Sequence, residues 1–186
     1  MSVITVSRDE FVKPNTTAEA LSALKPAFRN GGSVTAGNAS GLNDGAAAML
    51  IASETALTQF SLKPLAKIVC AAVSGVAPSI MGIGPVEASR KALRLAGLSM
   101  SDIGVIEINE AFAAVGIASM RDLGIPDDVV NVNGGAIALG HPIGMSGNRL
   151  ALTLLYELNR RGGGVGAAAL CGGGGQGDAL IVRTVS

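Results

Sequence analysis

The chain has 186 residues, 48% hydrophobic and 15% charged, and its 14 basic and 14 acidic side chains cancel. That balance excludes a disordered chain, which is poor in apolar residues, and a polybasic surface for nucleic acid or anionic lipid. Two cysteines 101 positions apart, Cys70 and Cys171, cannot build a disulfide framework, and MSVITVSRDEFVK is too polar for the core of a signal peptide. No stretch approaches the ~20 apolar residues of a membrane span, so the expectation is a soluble, cytoplasmic protein. The 26 glycines, about 14% of the chain, are twice the ordinary ~7% and fall in clusters.

In chain order, TTAEALSALKPAF at 16–28 predicts a short helix that Pro26 stops. Residues 30–45 are small, polar and glycine-rich, and predict a loop; AAAMLIAS at 46–53 predicts a buried strand, then a helix from Glu54 to Phe60. A second strand is expected at 65–76. Pro85 opens a helix to Ala96, closed by Gly97. The strand IGVIEI at 103–108 runs into a helix ending at Gly124, VVNVN at 129–133 predicts a strand, and 134–144 a glycine-rich loop. SGNRLALTLLYELNRRG then reads as a helix, and 165–171 and 178–185 as strands joined by GGGGQG. Strands alternating with helices mean a layered α/β unit with a largely parallel sheet and an antiparallel end. The strand at 46–53 has no evident pairing partner, which implies that its sheet belongs to residues outside this chain.

Three strand-to-loop junctions carry chemistry-bearing side chains. Asn109 ends one strand, His141, the only histidine, lies in GGAIALGHPIGMSG before a helix, and Cys171 ends a strand ahead of four glycines. Such junctions share the carboxyl edge of a parallel sheet, where ligands bind. Cysteine with histidine means thiol chemistry and acyl transfer as the natural reaction class. The glycines leave room for main-chain N–H groups to face a ligand, as an oxyanion hole requires. Asn109 with Glu110 has an alternative reading as the cap of the next helix, and the local sequence does not decide. Cys70, inside IVCAAV, reads as core. One histidine and two distant cysteines make no metal cluster, and GGGGQG matches no nucleotide-binding fingerprint.

The blocks NEAFAA at 109–114, NVNGGAIALGHPIGMSG at 131–147 and LCGGGGQG at 170–177 resemble the three C-terminal signatures of thiolases. VTAGNASGLNDGAAAML at 34–50 resembles the region around the coenzyme A site, and RDEF at 8–11 continues the likeness. The resemblance implies a thiolase-like fold, the C-terminal half of a layered αβαβα architecture with a mixed, largely parallel sheet. It divides the chain into the end of a loop domain with a CoA-contacting loop (1–43), the last strand and helix of the N-terminal half (44–64) and a C-terminal domain (65–186).

It implies that His141 activates a nucleophilic cysteine and forms an oxyanion hole with a water held by Asn109. Cys171 becomes the second, acid/base cysteine, and the N–H of Gly173 part of a second oxyanion hole. Ala36 and Ser40 touch the pantetheine arm, Ala111 and Phe112 border its tunnel, and Met81 walls a small acyl pocket that fits a short-chain enzyme. The implied reaction is the reversible Claisen condensation of two acetyl-CoA to acetoacetyl-CoA and CoA, an acyltransferase step of fatty acid metabolism. No cofactor is implied beyond the CoA thioester substrates. The family's nucleophile motif is not found in this sequence, so the expected partner is an N-terminal thiolase half or subunit, within a homo- or hetero-oligomer. The competing readings are a non-catalytic CoA-binding or assembly module, and a Cys171/His141 hydrolase in which only Asn109 orients the histidine.

Overall fold

A computed structural model describes residues 4–185. Its regular elements are α1 (Ala18–Ser22), α2 (Glu54–Gln59), β1 (Ala66–Gly75), α3 (Gly84–Ala96), β2 (Val105–Ile108), α4 (Ala113–Leu123), α5 (Ala136–Leu139), α6 (Ile143–Arg160), β3 (Val165–Gly172) and β4 (Gln176–Thr184). The strands form one sheet in the order β1-β4-β3-β2.

β2 and β3 pair in parallel and β4 pairs antiparallel with both β1 and β3, so β1, β2 and β3 all run the same way and β4 alone runs against them. The sheet is mixed and its strands largely share one direction, as expected. The glycine turn folds β4 straight back between β3 and β1, converting two of three pairings to antiparallel.

Alternation along β3 puts Ala167, Ala169 and Cys171 on one face and Ala168 and Leu170 on the other. The first face packs on Ala88 and Ala92 of α3 and Val115 of α4; the second lies under Leu150, Leu154, Leu155 and Leu158 of α6. The result is three layers, helix–sheet–helix. Small residues in β3 permit the close approach of α6, since a Cβ at Gly166 would meet Leu154 Cδ1 at 2.6 Å. Helix α3 closes as the sequence predicts, with Gly97 in the left-handed conformation, φ 65°.

Four expectations are corrected. Residues 46–53 form neither a ladder nor a buried strand: no strand lies beside them among the described residues, and Leu50 and Ile51 stay 77% and 73% exposed. Residues 129–133 are reduced to a single bridge, Val130 to Ile106, because Asn131 turns left-handed (φ 47°) and its amide replaces the next backbone rung. Its Oδ1 accepts from Ile108 N at 2.8 Å and its Nδ2 donates to Ile108 O at 2.9 Å. The loop at 134–144 contains the short helix α5, and the predicted 16–28 helix is ordered as helix only over α1.

Candidate active site

Asn109 follows the last residue of β2 and is completely buried, its N–H donating to Ala169 O of β3 at 2.9 Å. It does not cap the next helix: α4 begins at Ala113, with Phe112 at the N-cap and no side-chain cap bond. Its Nδ2 instead meets His141 Nε2 at 3.2 Å. The other ring nitrogen, Nδ1, lies 2.6 Å from Ser146 Oγ, and that hydroxyl donates to Pro142 O at 3.0 Å. Because the serine proton is committed to a carbonyl, Nδ1 must carry the ring proton and donate to Ser146. Nε2 is left with its lone pair, ready to accept a proton. Burial pulls the half-buried imidazole below its ordinary pKa, and the positive charge of Arg149 adds to the effect. The ring is therefore neutral at pH 7.

The loop that presents His141 is braced from below. Glu110 accepts from Asn131 Nδ2 at 2.7 Å and from Ile137 N at 3.1 Å, tying the end of β2 to α5. Gly135 is packed so closely on the Glu110 carboxylate that no Cβ fits there. Gly140, at φ 95°, abuts Asn43, and His141 N donates to Gly41 O at 3.1 Å. A cleft of about 460 Å³ opens between residues 43–47 and 142–145.

Cys171 lies in β3, two residues beyond the Ala169 carbonyl that holds Asn109, so the register puts both at the same end of the sheet. Burial pushes its thiol above the ordinary range, partly offset by a backbone hydrogen bond. It is a protonated thiol at neutral pH, not a thiolate. Beyond it the chain turns through Gly174 (φ 82°) and Gly175 (φ 97°), and a Cβ at Gly173 would meet open space. The Gly173 N–H has no backbone acceptor among the described residues. Cys70 donates its S–H to Ala92 O at 3.2 Å against the core, and burial raises its pKa too. Both cysteines are free.

The residues assigned to the thioester arm also gather. Ala39 bridges Phe112, Ser40 Oγ donates to Ala111 O at 3.1 Å, and Phe112 meets Phe28 edge-on at 6.3 Å. Ala36 is exposed on the turn just before them. Met81 sits in a 3-10 turn, Pro78–Ile83, that packs on α4, β3 and β4. Among the described residues no group of three or more His, Cys, Asp or Glu is placed to hold a metal. Sequence reasoning missed Ser146 and Asn131, and gave Glu110 only a capping role. It left Asn109 as the sole group orienting His141, whereas Ser146 does so from the opposite ring nitrogen. The signal for Ser146 was available, five residues past the histidine and in the first turn of the helix that follows it.

Residues 62–184 match the model of the thiolase C-terminal domain, and residues 2–55 that of the thiolase N-terminal domain. The chain belongs to the thiolase family. It is 56% identical over 180 residues to an acetyl-CoA acetyltransferase of Escherichia coli, covering 97% of this chain and 46% of that one. It is 54% identical over 182 residues to a beta-ketoadipyl-CoA thiolase of Pseudomonas putida, covering 97% and 46%. The crystal structure of the Bacillus anthracis acetyl-CoA acetyltransferase superposes with a TM-score of 0.94 at 50% identity, covering 98% of this chain and 46% of that one. Human mitochondrial 3-ketoacyl-CoA thiolase in complex with CoA superposes at 0.90 with 46% identity, covering 97% and 46%. The thiolase chain thus spans about half the length of the curated relatives it matches.

Proposed function

We propose that this chain is the proton-handling part of an acetyl-CoA acetyltransferase, completed by a thiolase N-terminal half that brings the nucleophilic cysteine. The division at 1–43, 44–64 and 65–186 belongs to the same reading. The observation that carries it is the Asn109–His141–Ser146 chain of contacts, set at the same sheet end as the Cys171 thiol and the open glycine turn. A depressed imidazole and a raised thiol suit one base and one acid, and they disfavour a self-sufficient hydrolase, whose cysteine would need a lowered pKa.

In the cleavage direction, a cysteine of the N-terminal half gives its proton to His141 Nε2, and its sulfur attacks the keto carbon of acetoacetyl-CoA. The resulting imidazolium donates to the developing oxyanion, together with a water held by Asn109. Collapse of the adduct breaks the carbon–carbon bond, and the electron pair goes to the α-carbon of the departing acetyl-CoA. That carbon takes its proton from Cys171, while the Gly173 N–H faces the enolate oxygen. Incoming CoA returns a proton to Cys171, its sulfur attacks the acyl group, and the leaving cysteine sulfur is reprotonated by His141. Ala36, Ser40, Ala111, Phe112 and Met81 line the path of the CoA thioester in this reading, which the meeting of Ser40 with Ala111 and of Ala39 with Phe112 supports. The two free thiols fit a reducing cytoplasm, and the exposed apolar residues fit an oligomer.

The test is acetoacetyl-CoA cleavage, followed by its absorbance, with the chain alone and mixed with the N-terminal half of the Escherichia coli relative. Activity should arise only in the mixture, because loss of a nucleophile costs on the order of a million-fold in kcat. CoA binding without activity in the mixture would instead mark a non-catalytic module.

A further inference from the structure

Beneath the site lies a buried pair that the mechanism does not use. Glu107, in the middle of β2, is completely buried, and one of its oxygens receives Arg149 Nη1 of α6 at 3.1 Å. Its second oxygen and Arg149 Nη2 have no partner among the described residues. The contrast with Glu157, on the same helix, is plain: that carboxylate accepts from Asn133, Arg160 and Arg161 and is held well below its ordinary pKa. An ion pair as sparsely bonded as Glu107–Arg149 is close to break-even for stability, since desolvation offsets most of its attraction. Its place in the chain is more informative. Glu107 is two residues before Asn109, and Arg149 three residues after Ser146, so one contact joins the strand and the helix that grip the two nitrogens of His141.

We propose that Arg149, held by Glu107, is a positioning residue for His141: the pair locks the helix carrying Ser146 to the strand carrying Asn109, so that both ring nitrogens stay gripped. This rests on the reading of His141 as the base. The charges that face Glu107 are Arg149 and Glu157 on α6 and Glu110 at the end of β2. Burial, opposed by Arg149, pushes the Glu107 carboxyl up to about 7. Glu107 therefore changes charge near neutrality, while His141 titrates lower.

His141 is the only histidine of the chain, so its ring can be followed alone by NMR in a [15N]histidine-labelled chain mixed with the unlabelled N-terminal half. Arg149→Met should raise the His141 pKa, and Arg149→Lys, which keeps the charge, should restore it. Wild-type His141 should show a second, small inflection near pH 7 as Glu107 ionises, absent in Glu107→Gln, a near-isosteric change that guards against a variant that does not fold. In turnover, Arg149→Met should lower kcat by about tenfold or more with KM for CoA within twofold. An unchanged His141 titration in Arg149→Met, or one that Lys fails to restore, would overturn the proposal. These titrations need no turnover. If His141→Ala acylates the partner cysteine at a normal rate, the assignment of the base fails on its own, separately from the coupling.

Discussion

At the scale of the residue, the two reactive side chains are shifted in opposite directions by the same cause. Burial removes water from both, which disfavours imidazolium on His141 and thiolate on Cys171. The sign of each effect gives a pH prediction. A depressed histidine is deprotonated at every pH above its ordinary 6.5, so acylation of the partner cysteine should rise with pH below that value and be flat above it. A raised cysteine is thiol at pH 7 and 8, so iodoacetamide should label Cys171 slowly there and faster only above about pH 9, as read by mass spectrometry of its peptide. A Cys171 that labels with an apparent pKa below 8 would mean that it is poised as a nucleophile, contrary to the acid role. Ser146 permits a sharper test, because its hydroxyl alone fixes the ring tautomer from the Nδ1 side. Ser146→Ala leaves Nδ1 without its acceptor and should cost about 1–3 kcal/mol of transition-state stabilisation, roughly 5- to 150-fold in kcat. CoA affinity should be nearly unchanged.

At the scale of the element, the segment between β2 and α6 shows how much was legible and why. Helices α3 and α6 and the β3–β4 hairpin were readable because apolar spacing and glycine punctuation act locally. Asn109 and Cys171 stand at strand ends, where the sequence put them, whereas His141 lies between α5 and α6 with no strand before it. The segment 129–142 was not readable, because its conformation is set by side chains distant in sequence: Asn131 replaces a backbone rung of β2, and Glu110 reaches across to Ile137. Spacing along one segment carries no trace of such partners. The same dependence makes Gly135 critical. Gly135→Ala would drive a Cβ into the Glu110 carboxylate, displace it from Asn131 and Ile137, and loosen the loop that presents His141. The expected loss is about 1–3 kcal/mol in thermal or denaturant unfolding, with a larger proportional fall in kcat than in CoA binding. Gly116→Ala, on α4 with open space for a Cβ, should leave both nearly unchanged.

At the scale of the whole molecule, α6 is an element whose surroundings are incomplete. Its inner side covers β2 and β3, but Ile143 and Tyr156 on it are 73% and 63% exposed. The segment that approaches its first turn, where Gly45 abuts Pro142 and Met145, leads on to Leu50, Ile51 and Phe60, all exposed. Burying five such side chains is worth on the order of 10 kcal/mol at ~2 kcal/mol each, comparable to the cost of associating two chains. An apolar surface of that size calls for a cover and favours self-association when the chain is alone. Sedimentation at 5–50 μM should therefore give a mass that grows with concentration, with strong binding of an apolar fluorescent dye. Adding the thiolase N-terminal half should replace this by one discrete species and quench the dye signal. Restored activity without such a change would mean that the two halves meet through some other face. A monomeric chain that binds neither dye nor the N-terminal half would remove α6 as the meeting surface.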